Sequence, residues 1–143
     1  MPRSLNARFE GTSPPDADDS HPPGAGIARA LEAGLRRRGA VIEPFDNWRD
    51  VGWVIGHGHG PDALDVAFAA TTPQQWILQV SAPGSPGLLA RLMGQPAPDR
   101  SAAIYELARV VSTSLADLGF TGMAWRWDGP ARDGDPADPP APA

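Results

Sequence analysis

The stretch from Trp48 to Val80, WRDVGWVIGHGHGPDALDVAFAATTPQQWILQV, constrains this chain more than any other. Apolar side chains alternate along it in three runs: Val51, Trp53 and Ile55; Leu64, Val66 and Phe68; Trp76, Leu78 and Val80. Residues two apart in a strand share a face, so each run supplies part of one core wall. Gly-His-Gly-Pro-Asp separates the first run from the second, and Thr-Thr-Pro-Gln the second from the third. These are the residue types that tight turns require. The stretch therefore predicts a three-stranded antiparallel meander. Each large apolar group buried on its inner face contributes about 1.5–3 kcal/mol.

A sheet with one apolar face needs a cover, and two segments carry helical spacing. Ile27, Ala30, Leu31, Gly34 and Leu35 form a stripe over 26–38. Arg36, Arg37 and Arg38 close it, where the helix dipole favours cations, and Gly39 stops it. Ile104, Leu107, Ala108, Val111, Leu115 and Leu118 form a longer stripe between Asp99, a predicted N-cap, and Gly119. A short helix is expected over 88–93, capped by Ser85. Leu5, Ala7 and Phe9 alternate with polar residues and predict an edge strand within 1–10. Ala40 to Glu43 predicts a short strand stopped by Pro44. Phe120 to Trp127 predicts a last strand with Met123, Trp125 and Trp127 on one face. The expected class is α+β: a two-layer sandwich, its antiparallel β-meander sheet packed by two main helices.

The rest of the chain is punctuation. Residues 11–25 are rich in Pro and Asp and read as a linker. Residues 26–127 read as a single α+β domain, and 128–143, DGPARDGDPADPPAPA, as a disordered tail.

Charge and composition exclude several functions. The formal net charge of −5 argues against a nucleic-acid footprint. All 12 basic residues are Arg, which fits a GC-rich, bacterial-like coding bias. Without Cys there is no disulfide framework or thiolate metal site. No apolar run is long enough to span a bilayer, and the N-terminus lacks the apolar core of a secretory signal. A cytoplasmic location, with no membrane partner, is the expectation.

Chemistry is sparsely signalled. His57 and His59 are two apart and could reach one metal, with Asp62 or Asp65 adding a carboxylate. However, a catalytic zinc normally takes three protein ligands, and glycines flank both imidazoles. The Gly-rich loop leads from strand to strand, not into a helix N-terminus, so it is no phosphate cradle. Gly84-Ser85 lacks a nucleophile frame. Asp46 and Asp50 read as turn residues. No catalytic residue, metal site or cofactor is assigned.

Two features point to binding instead. The outer face of the meander carries Gly52, Val54, Gly56, Asp65, Ala67, Ala69, Ile77 and Gln79, where a solvated face would carry many charges. Either another molecule or another segment of the chain, such as the N-terminal one, covers it. Trp48 and Trp125 are candidate anchors at the rim, with Arg126 beside the latter. The expected binding set is Trp48, Val54, Ala67, Ala69, Ile77, Gln79, Trp125 and Arg126. It suits a small acidic protein-binding chain without catalytic activity, of an inhibitor or toxin-neutralising immunity type. The partner is another protein, a basic one on charge grounds, or a second copy of the chain. The alternative is a small-ligand or metal-binding enzyme with a pocket lined by Trp48, Asp50, His57 and His59.

Overall fold

The computed structural model describes residues 3–12, 23–58, 62–82, 94 and 99–143. In chain order the elements are β1 (Ser4–Glu10), α1 (Ala25–Arg37), β2 (Asp46–Trp48), β3 (Gly52–His57), β4 (Leu64–Thr72), β5 (Gln75–Ser81), α2 (Ser101–Asp117) and β6 (Thr121–Trp127). The strands form one antiparallel sheet in the order β2-β3-β4-β5-β1-β6. The class is mixed α+β. The short helix expected over 88–93, its cap Ser85, His59 and most of the expected linker lie outside the described residues.

The meander forms as its alternation predicts. Trp53 pairs with Phe68, Ile55 with Val66, Phe68 with Leu78 and Val66 with Val80, so one register places all of these side chains on one face. Both helices contact that face. Ile27, Leu31 and Leu35 of α1 and Ile104, Leu107, Val111 and Leu115 of α2 join the same core cluster as Leu5, Phe9, Phe68, Trp76 and Trp125. The helices approach closely at two small residues: a Cβ on Gly34 would lie 3.4 Å from Ser114 Cβ.

Both helices end as their sequences predict. Gly39 and Gly119 adopt φ of +85° and +91°, a region that favours glycine. After each, two amides bond back into the last turn: Gly39 to Arg36 and Ala40 to Leu35; Gly119 to Ala116 and Phe120 to Leu115. Asp99 stabilises the start of α2, although one position earlier than a standard N-cap. Its Oδ1 accepts from the Ser101 amide at 2.9 Å and the Ser101 hydroxyl at 2.6 Å. Those bonds hold its carboxyl below the usual range.

Four expectations are corrected. The first strand is not at an edge. β1 pairs with β5 on one side and β6 on the other. Alternation reveals which face of a strand is buried, not which of its edges is paired. The short strand is displaced along the chain: Ile42 makes an isolated bridge to His57, and pairing resumes as β2 only beyond Pro44, which cannot donate to a ladder. Val51 and Leu118 lie outside the core stripes, 55% and 37% exposed, because a turn and a helix end carry them away.

Finally, the segment after Trp127 is packed against the sheet. The Trp125 amide donates to the Pro136 carbonyl at 2.9 Å, and Trp127 Nε1 to the Pro140 carbonyl at 2.9 Å. The Arg126 guanidinium forks onto Asp135 through two 3.0 Å bonds, and Arg8 meets Asp133 at 2.9 Å. No apolar periodicity marks this docking, since polar and backbone groups provide it.

The two faces of α2 give a direct check. Leu107→Ala is expected to cost about 2–5 kcal/mol by urea denaturation, as for other buried Leu truncations. Arg109 is exposed, near Glu106 and Tyr105, and Arg109→Ala should change stability by no more than about 0.5 kcal/mol. Equal effects would reverse the assignment of the helix faces.

Candidate functional site

The outer face of the sheet is built from side chains that alternate with the core set. Gly52, Val54 and Gly56 of β3 lie beside Ala69, Ala67 and Asp65 of β4, which lie beside Ile77, Gln79 and Ser81 of β5. Next come Arg8, Asn6 and Ser4 of β1, then Ala124 and Arg126 of β6. At the far edge Trp48 pairs with Gly52 and shares this face. Its position comes from a tight β2–β3 turn. Arg49 and Asp50 both take positive φ, 54° and 58°, the Val51 amide bonds the Trp48 carbonyl at 3.1 Å, and the Asn47 side chain accepts from the Asp50 amide. Two consecutive left-handed residues match the twist of a two-residue hairpin.

A cavity of about 360 Å³ lies on this face, within the range of ligand and anchor pockets. Ala67, Ile77, Gln79, Ser4 and Asn6 line it, with Trp48 and the segment Asp128 to Ala131. Ile77 is 46% exposed, one of few large apolar side chains so open among the described residues. Ala67 and Ala69 are small and nearly covered by their neighbours. The segment at 128–131 is held by its first residue. The Asp128 amide donates to the Ser4 carbonyl at 2.8 Å, and the Asp128 carboxylate accepts from the Ser4 amide and from Arg3. Burial raises the Asp65 carboxyl above its usual range, so the one acid on the meander's part of the face is partly withdrawn from water.

Four residues expected to bind, Trp48, Ala67, Ile77 and Gln79, thus surround one cavity. Val54 and Ala69 share the face beside it. Arg126 shares the face too, but its guanidinium is engaged by Asp135. Trp125 is corrected. It pairs with Ala7 on the inner face and is fully buried, so it belongs to the core. Ser4, Asn6 and the 128–131 segment escaped sequence reading. Asn6 alternates away from the core and could have been noticed once β1 was known to be internal. Nothing in the tail's composition signals a cavity wall.

The alternative pocket does not assemble. His57 pairs with Leu64 and faces the inner side, opposite Trp48, and Asp50 is exposed at the β2–β3 turn. His57 borders a different cleft, of about 490 Å³, with Arg38, Asp62, Arg100, Glu106 and Leu107. Arg100 bonds the Asp62 carbonyl there at 2.6 Å, and Arg38 bridges to Asp117 of α2. The His57 Nδ1 is buried and has no hydrogen-bond partner among the described residues. Among those residues no group of three or more His, Cys, Asp or Glu is placed to hold a metal ion. Among the described residues no helix is long and apolar enough to cross a membrane. No protein-family model matches the chain, and no curated protein matches it in sequence.

Proposed function

We propose that this chain is a non-catalytic protein-binding module that receives its partner on the outer face of the sheet. An inhibitor or toxin-neutralising immunity protein of the cytoplasm is the concrete form of that reading. One observation carries it: a floor of Ala67, Ala69 and Ile77, nearly free of charge, runs between Trp48 and the 128–131 segment. Small residues admit close approach, and an aromatic rim supplies an anchor. The two helices pack on the inner face, so neither covers this one, which the chain meets instead at the 128–131 segment. A net charge of −5 would speed the encounter with a basic partner. The runner-up occupant is a second copy of the chain.

The test is Ala67→Arg. The partner is recovered by native co-purification and identified by mass spectrometry, and its affinity is then measured by calorimetry. The variant is expected to bind at least about 3 kcal/mol more weakly, since an unpaired charge would be buried at the contact. Ala67 is only 6% exposed, so the urea midpoint is read beside the affinity; Ile77→Arg, at a 46% exposed position of the same cavity, should lose affinity with little change in midpoint. Unchanged affinity would place the binding surface elsewhere.

A further inference from the structure

The two ends of the sheet are protected in different ways. At one end β2 is only three residues long, with Pro44 just before it. Short edge strands and prolines are common defences against unwanted strand pairing. At the other end β6 is seven residues long and contains no proline, the kind of edge that pairs readily. Met123, Trp125 and Trp127 direct their backbone groups away from β1, since the alternate residues Ala124 and Arg126 face it.

The segment after Trp127 first crosses the outer face, where 128–131 line the cavity and Asp133 meets Arg8, and then reaches this edge at Pro136. It reverses at Arg132 to Asp135, where the Asp135 amide donates to the Arg132 carbonyl at 3.1 Å and Gly134 takes φ of +91°. Pro136 then accepts from the Trp125 amide, and Pro140 from the Trp127 indole. Prolines stand at 130, 136, 139, 140 and 142. A proline accepts a hydrogen bond but donates none, so the segment caps the edge without becoming a new edge itself. Its other attachments are charged: Asp133 on Arg8, and Asp135 on Arg126.

We infer that this C-terminal segment is a displaceable edge guard, and that its release lets β6 pair antiparallel with β6 of a second copy. The sequence of β6 suits a two-fold pairing. With Trp125 opposite Trp125, Arg126 of each chain faces Ala124 of the other, so no like charges meet. The guard is held by a few polar contacts and by no buried apolar anchor, which makes it removable while the core stays folded.

The experiment compares the full chain with a variant ending at Ala131, which keeps the cavity wall at 128–131 and removes the contacts of Asp133, Asp135, Pro136 and Pro140, using light scattering after size exclusion. The full chain should run at its monomer mass of 15.0 kDa. The truncated chain should reach twice its own monomer mass as concentration rises, and a synthetic peptide of residues 132–143 added in trans should return it to monomer. A folded truncated chain that stays monomeric would overturn the inference, and so would a dimer that the peptide leaves intact. If truncation unfolds the protein, the full-length variant Asp133→Asn with Asp135→Asn decides. Faster hydrogen exchange at the Trp125 amide, with exchange in α2 unchanged, supports a releasable guard, and an unchanged Trp125 rate overturns it. Failure here leaves the partner-binding reading standing, because Ala67→Arg tests the sheet face and truncation tests its edge.

Discussion

Replacing Trp125 with alanine is expected to destabilise the protein by about 3–5 kcal/mol, the usual range for a large buried aromatic. The side chain is fully buried on the inner face of β6, in one core cluster with Leu5, Leu107 and Val111. Its loss would leave a cavity among these packed side chains, which relax only partly. Trp125→Phe isolates a second contribution. The indole Nε1 is buried and has no hydrogen-bond partner among the described residues. Phenylalanine keeps most of the ring and removes that uncompensated donor, so its cost should be clearly smaller than alanine's. Urea denaturation followed by circular dichroism measures both. An alanine effect below about 1 kcal/mol would mean that the ring is not the packing centre described here.

The second large effect is expected at a glycine. A Cβ on Gly52 would sit 2.0 Å from the Phe68 carbonyl oxygen and 2.9 Å from Ala69 Cβ. The carbonyl belongs to a paired strand and cannot rotate away, so β3 and β4 would have to separate. Gly52→Ala is therefore expected to cost about 3 kcal/mol, the upper part of the range for overpacking. Gly56, four residues on and on the same face, is the control. Its added Cβ would meet Glu43 side-chain atoms at 3.6 Å and Asp65 Oδ1 at 4.0 Å, ordinary contacts. Gly56→Ala should stay within about 1 kcal/mol of the parent or gain slightly, because alanine restricts the unfolded chain. Similar losses at both positions would show that strand flexibility, not the Phe68 carbonyl, controls the effect.

These residues also divide what was legible in the sequence from what was not. The faces of the meander, the stripes of α1 and α2 and the stops at Gly39 and Gly119 follow from local spacing, whereas the N-cap expected at Asp99 falls at Arg100 and Asp99 bonds Ser101 from one position earlier. Periodicity and end signals act over one strand or one helical turn, so they survive in the linear text. The outer face could be read for the same reason: once the core positions are known, Ala67, Ile77 and Gln79 must point the other way. The position of β1 could not be read, because it depends on pairing Leu5 with Val80 and with Trp127, far apart in the chain. Trp125 was misplaced because an aromatic at the end of the chain fits a rim or a core equally well until its strand acquires a neighbour. The tail was misread because its order comes from Asp133, Asp135 and two proline carbonyls meeting groups on β1 and β6. Local composition decides which way a side chain faces; only long-range pairing decides what stands there to meet it.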